Sequence, residues 1–260
     1  MKYKTKRKVK CIFCLLICTL IFTRFTFAWE IVVMTGDWKP FVSSELAEYG
    51  FLTVVVSKAF QAVGVKTDIQ FAPWTRCEAA IKHGKSLVTF PYSITEERSE
   101  FAYFSDSIAK SRTVFFYNRQ KRKTFEYTGL DNLGSLLVGG IRGYFYIPQL
   151  KKAGLSIDYS ENENDAFKKL LYGRVDLVLL NELVGWKIIN TFDSDQVNVF
   201  ASSKSAFSIN ELRLMVSKKH PGADEHLKLF NKGLQIIKMN GVYRKIFTKF
   251  KIPEPVGNFE

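Results

Sequence analysis

Two successive series of alternating strand-like and helix-like segments constrain this chain more than any other feature. In the first series, Trp29–Thr35 is β-rich and stops at Gly36. Phe51–Val63 places Phe51, Leu52, Val55, Ala59, Phe60 and Val63 at helical spacing, and Gly64 ends it. Val65–Phe71 alternates as a strand, Thr75–Lys82 reads as a helix ending at His83-Gly84, and Leu87–Phe90 and Thr113–Tyr117 are short strands. The second series begins near Leu130. Strands at Leu136–Ile141, Ser156–Tyr159 and Val175–Leu180 interleave with helices at Ile147–Lys152, Glu163–Tyr172 and Glu182–Ile189. Strands at Asn198–Ala201 and Leu212–Val216 and helices at Asp224–Met239 and Val242–Phe250 complete the pattern. Such alternation predicts an α/β architecture with mainly parallel sheets. Two series predict two lobes, each with its own sheet.

The N-terminus stands apart. Residues 2–10 are dense in Lys and Arg, Cys11–Phe22 is almost wholly apolar, and Thr26-Phe27-Ala28 has a small-x-small ending. Basic, apolar and small-residue regions in that order read as a secretory signal peptide over residues 1–28, cleaved on export to the periplasm. The apolar run of 12 residues is too short to span a bilayer as a helix; the alternative is an uncleaved N-terminal anchor. Removing the segment changes the charge. Seven of the 38 Lys and Arg residues lie in it and none of the 25 Asp and Glu, so 31 basic residues face 25 acidic ones, a net of +6 instead of +13. That excess is scattered except at Arg119–Lys123, and no basic face with reading elements for nucleic acid is visible. Beyond residue 28, Cys77 is the single cysteine, which excludes an intramolecular disulfide and reads as a buried small hydrophobe. The histidines His83, His220 and His226 lack metal-ligand spacing, and no cofactor is implied.

In open α/β sheets, ligands bind at the carboxyl ends of the strands. Those ends carry a recurring chemistry here. Gly36-Asp37-Trp38-Lys39-Pro40-Phe41 follows the first strand, Pro73-Trp74-Thr75-Arg76 the second, and Pro91-Tyr92-Ser93-Ile94-Thr95-Glu96-Glu97-Arg98 the third. Gly143-Tyr144-Phe145 follows the first strand of the second series, and Asn181 follows Val175–Leu180. Flat aromatic faces, hydroxyls and a guanidinium suit a small ligand with an anionic group. Arg98 offers a planar fork for a carboxylate, Ser93 can add a donor, and Gly143 lets the backbone approach closely.

Taken together, these stretches resemble the extracellular solute-binding proteins of family 3, the receptors of polar amino-acid ABC transporters. The strongest stretch is Ser93-Ile94-Thr95-Glu96-Glu97-Arg98 with Phe101 and Phe104-Ser105-Asp106, similar to the family's Thr-x-x-Arg segment and its tail. Trp38-Lys39-Pro40-Phe41, Gly173-Arg174-Val175-Asp176 and Asn240 to Phe247 support it in order and spacing. The resemblance implies a two-lobed type II periplasmic-binding-protein fold, with two mixed, mainly parallel sheets joined by crossing strands at Thr113–Arg119 and Leu212–Lys218. Lobe one is then 29–115 plus 216–260, and lobe two is 116–215. It implies a ligand-binding set of Arg98, Ser93, Trp38, Phe41, Trp74, Tyr92, Gly143, Tyr144 and Asn181. Arg98 falls where the family grips an α-carboxylate, Trp38 and Trp74 where it flanks the ligand side chain, and Gly143 and Tyr144 where lobe two adds backbone donors. Asn181 stands where the family has an Asp for the α-ammonium, so either Glu182 helps or the ligand lacks that ammonium. Phe90-Pro91-Tyr92 replaces small residues before Ser93 and narrows the pocket.

The expected function is capture of an amino acid or related small carboxylate by hinge closure, by a monomer that partners an inner-membrane ABC permease. A membrane sensor is the alternative partner. The rival class is a dehydratase-like enzyme on the same fold, with Asp37, Glu78 and Glu182 as candidate acids or bases.

Overall fold

The computed structural model describes residues 29–253, so the segment read as a signal peptide lies outside the described residues. Strand β1 (Trp29–Thr35) pairs in parallel with β2 (Val65–Phe71) along its whole length and with β3 (Val88–Tyr92) at Val33–Thr35. Helices α1 (Phe51–Gln61) and α2 (Trp74–Lys82) make the crossovers. Helix α1 buries Phe51, Leu52, Val55, Val56, Ala59 and Phe60, the apolar stripe visible in its sequence. The chain reverses after it at Gly64, where φ is +79°.

The next helix, α3 (Glu96–Phe101), has too few residues to show a 3.6-residue period. Its start is set chemically. The Thr95 hydroxyl accepts a hydrogen bond from the Arg98 amide at 3.2 Å, and Glu96 and Glu97 occupy the first turn, where the helix dipole favours anions. The Thr-x-x-Arg spacing is therefore a helix cap that seats Arg98 in the first turn. Strand β4 (Ala102–Phe104) follows, then β5 (Ala109–Asn118).

The second series forms β6 (Val138–Ile141), α4 (Ile147–Lys152), β7 (Ile157–Ser160), α5 (Glu163–Leu171), β8 (Leu177–Asn181), α6 (Glu182–Ile189), α7 (Ser194–Val197) and β9 (Phe200–Ser202). Strand β6 is parallel to β7 and β8, whereas β8 and β9 run antiparallel to β5. Packing here is close: a Cβ on Gly140 would sit 2.7 Å from Ile157 and 2.8 Å from Ile147. Strand β10 (Ser208–Ser217) then leads back to α8 (Ala223–Met239) and α9 (Val242–Lys249).

Two large cores result, with a smaller cluster of Ile81, Tyr92, Phe101, Ala102 and Met215. One joins Ile31, Val33 and the α1 stripe to Phe230, Leu234, Ile237, Tyr243 and Phe247 of the C-terminal helices. The other is built from Val114–Tyr117, Val138, Phe167, Leu177–Leu180 and Phe200. Strands β5 and β10 connect them. Ala109–Thr113 pairs antiparallel with Ser208–Leu212; beyond that ribbon, Thr113–Tyr117 pairs with β8 while Arg213–Ser217 pairs with β3 and β4. Both strands begin upstream of Thr113 and Leu212. Of the added residues, Ala109–Arg112 alternates buried with half-buried positions and Ser208–Glu211 is half-buried or exposed throughout, so both carry little of the apolar signal by which strands are read.

Candidate functional site

Two adjoining cavities lie where the cores face each other, of about 860 Å³ and about 600 Å³. Trp38, Ser111, Phe145 and Asn210 line both. Ser111 and Asn210 are register partners on the connecting ribbon, so its strands form a shared floor. The larger cavity is walled by one face of α2: Trp74, Thr75, Glu78, Ala79 and Lys82 follow helical spacing, while Cys77 and Ile81 turn into the core. Pro91, Tyr92, Ser93 and Arg98 make the adjoining wall, in contact with the α2 face through Tyr92 and Arg98.

Arg98 is held from three sides. Its Nε donates to Glu78 Oε2 at 3.1 Å, Nη2 lies 3.0 Å from the same oxygen, and Nη1 donates to the Ser93 carbonyl at 3.2 Å. The guanidinium carbon stands 4.9 Å from the centre of the Tyr92 ring. A guanidinium has five N–H bonds, so one N–H on each terminal nitrogen stays uncommitted and can donate to a carboxylate. The group is partly sheltered, with 27% of its side chain exposed. Tyr92 donates to the Trp74 carbonyl at 3.3 Å, and burial pushes its phenol well above the usual range. Beneath this wall Cys77 is fully buried, and burial raises its thiol pKa, which makes it a packing residue.

The smaller cavity holds Tyr144, Asn181, Asp37, Lys39, Glu45 and Glu163. The Asn181 side chain is already used. Its Oδ1 accepts from the Val184 amide at 3.2 Å, capping α6, and its Nδ2 donates to Ser111 Oγ at 2.9 Å. Glu182, one of the two alternatives raised for the α-ammonium, lines neither cavity: Arg112 Nε donates to its carboxylate at 2.8 Å, and the pair is mostly buried. Tyr144 donates its hydroxyl to Glu163, and burial followed by that bond raises its pKa. Asp37 accepts from the amide and hydroxyl of Ser44 at 2.8 and 3.1 Å. The Ser43 hydroxyl and then the Ser44 amide lower its pKa.

The cavities thus bring together Arg98, Ser93, Trp38, Trp74, Tyr92, Tyr144 and Asn181. Phe41 and Gly143 lie outside their linings. Phe41 is fully buried, stacked on Trp38 at 4.0 Å between ring centres, so it backs the wall that Trp38 presents. Gly143 has φ +80° and open space where a Cβ would lie; it turns the chain so that Tyr144 and Phe145 face the cavities. Sequence reasoning overlooked Ser111 and Asn210, which sit in the polar strand ends, and left Phe145 out of the ligand-binding set although it named the Gly143-Tyr144-Phe145 stretch. It weighed Glu78 as an isolated acid; the α2 spacing from Trp74 was the one available sign that it shares the aromatic face. Among the described residues no group of three or more His, Cys, Asp or Glu is arranged for a metal ion, and no helix is long and apolar enough to cross a membrane.

Solved structures with this fold span several settings. The second substrate-binding domain of a putative amino acid ABC transporter from Streptococcus pneumoniae superposes with a TM-score of 0.66 at 20% identity, covering 85% of this chain and 99% of that one. A histidine kinase sensor domain with similarity to periplasmic binding proteins gives 0.63 at 19%, covering 85% and 96%. An ancestral amino acid-binding protein, a precursor of cyclohexadienyl dehydratase, gives 0.60 at 21%, covering 85% and 94%. At these identities the likeness establishes the two-lobed fold alone. No curated protein sequence matches the chain. The sequence model of one family spans residues 31–252, and on that match the chain belongs to the bacterial extracellular solute-binding proteins, family 3.

Proposed function

We propose that this protein captures an amino acid or related small carboxylate between lobe one (29–115 with 216–260) and lobe two (116–215), for delivery to an inner-membrane ABC permease. Residues 1–28 direct it to the periplasm as a cleaved signal. The observation that carries this reading is Arg98: a sheltered guanidinium with uncommitted N–H groups, lining a cavity between the two cores beside Trp38, Trp74 and Tyr92.

The mechanism follows from the ribbon. The ligand carboxylate docks on the Arg98 fork, and its body lies against Trp38 and Trp74. Rotation about Ala109–Thr113 and Ser208–Leu212 brings Phe145 and Tyr144 over it. Contacts available only in the closed form supply the differential affinity that favours closure. A membrane sensor is the second reading of the partner, supported by the fold shared with a histidine kinase sensor domain. Binding is favoured over turnover because each candidate acid is engaged: Asp37 by Ser43 and Ser44, Glu78 by Arg98, and Glu182 by Arg112.

Thermal-shift screening of the mature chain against amino acids, dipeptides and organic acids tests this. A ligand at 100 times its Kd adds about 2.7 kcal/mol of stability, roughly 5–10 °C for a chain of this size. The expected hit is a carboxylate whose shift disappears in Arg98→Ala. A hit that stabilises the Arg98→Ala protein equally would refute the carboxylate grip.

A further inference from the structure

The geometry points to Glu78 as the residue that receives the α-ammonium of the ligand, so that lobe one alone recognises both charges of an amino acid. This rests on the carboxylate-binding reading of Arg98 given above. An ammonium taken out of water without a countercharge or acceptor is strongly disfavoured. Asn181 does not meet that need: it is neutral, its oxygen caps α6 through Val184 and its amide nitrogen is bound to Ser111. Glu182 is paired with Arg112 outside both linings. Asp37, Glu45 and Glu163 line the smaller cavity and are not in the lining that contains Arg98.

In the cavity that contains Arg98, the lining includes one acid, Glu78. It stands on the α2 face that presents Trp74 and Lys82, and 28% of its side chain is exposed. Both Arg98 contacts fall on Oε2, which leaves Oε1 to take a further donor. A carboxylate on the outer Arg98 fork and an ammonium on Glu78 Oε1 meet a pair of opposite charges already held side by side. An amino acid presents its own two charges on a single carbon in the complementary order. Glu78 also sets specificity in the opposite sense. It partly neutralises Arg98 and so lowers the affinity for carboxylates that bring no cation.

The test uses matched probes differing by one amino group: L-phenylalanine with 3-phenylpropanoate, L-arginine with 5-guanidinopentanoate, and L-glutamate with pentanedioate. Calorimetric or thermal-shift affinities are measured on the mature wild-type chain, Glu78→Gln, Glu78→Asp and Arg98→Ala. In at least one pair, wild type is expected to prefer the amino acid. Glu78→Gln should weaken that amino acid by about 10- to 100-fold, the loss of one charge-assisted hydrogen bond, while leaving its deamino partner unchanged or tighter. Glu78→Asp keeps the charge and should keep the direction of preference, which separates loss of charge from damage to α2. The inference is overturned by a Glu78→Gln protein that keeps the wild-type preference, or by one that binds both members of a pair more tightly, which would make Glu78 only a competitor for Arg98. Equal wild-type affinity for both members overturns it too. Failure of the underlying reading looks different: binding then survives Arg98→Ala, or no probe binds any variant.

Discussion

Replacing Gly233 by Ala tests the architecture that carries the Arg98 wall. Gly233 lies in α8 where it crosses α1, and a Cβ there would stand 1.9 Å from the Ala59 carbonyl oxygen and 2.8 Å from its carbon. Ordinary van der Waals contact begins at 3.4 Å, so the two helices must part by about 1.5 Å at the crossing. The obstacle is backbone and cannot rotate aside. Gaps of 0.5–1 Å already forfeit a quarter to a half of the local dispersion energy. This crossing packs Ala59, Phe60, Phe230, Leu234 and Ile237 into one core, with the Phe60 and Phe230 ring centres 4.9 Å apart. Overpacking of this kind costs about 1–3 kcal/mol and occasionally more. The higher helix propensity of Ala returns roughly 0.5–1 kcal/mol. A net destabilisation of about 2–2.5 kcal/mol follows, taking the upper end of the overpacking range for a backbone obstacle. In urea this appears as a lower midpoint at unchanged slope. Because the contact is with a carbonyl, adding Ala59→Gly should not restore stability. A Gly233→Ala protein as stable as wild type, or one rescued by Ala59→Gly, would refute the reasoning.

Asn181→Asp preserves the oxygen that caps α6 and lets the Ser111 hydroxyl donate to it, so stability should stay within about 0.5 kcal/mol of wild type, since Asn and Asp cap equally well. If Glu78 holds the ammonium, amino-acid affinity should change by less than about threefold; a tenfold gain, about 1.4 kcal/mol, would return the ammonium to position 181. The lowered pKa of Asp37 gives a pH signature. A carboxyl depressed in the folded state stabilises above its unfolded pKa, and that contribution is lost as pH falls through the folded value. Asp37→Asn removes it throughout. The Tm difference between wild type and Asp37→Asn should therefore be largest near neutrality and close below about pH 4, where an unperturbed Asp protonates. A difference independent of pH would contradict the hydrogen-bonded carboxylate described for Asp37.

Much of the fold was legible because long amphipathic segments announce themselves. The α1 stripe, the β1–β2 alternation and the apolar β8 run needed no tertiary knowledge, since burial of one face or both dictates the residue pattern. Segments whose structure is imposed from outside were not legible. Helix α3 depends on a single hydroxyl cap, and the halves of β5 and β10 that join the lobes are too polar to look like strands. Phe41 carries the same aromatic character as Trp38, yet it is core and Trp38 is wall, because stacking turns one ring behind the other.

The amino-acid order alone determined the alternating α/β frame and the loops rich in aromatic residues at the strand ends. These are local matters, settled by periodicity and by neighbours a few residues away. Which partner each polar group meets was decided only by the packed chain: Glu78 with Arg98, Arg112 with Glu182, and Asn181 with Ser111 and Val184. Most of those contacts join residues far apart in the chain. Their distances follow from how helices and strands pack, and they decide which charges stay available to a ligand.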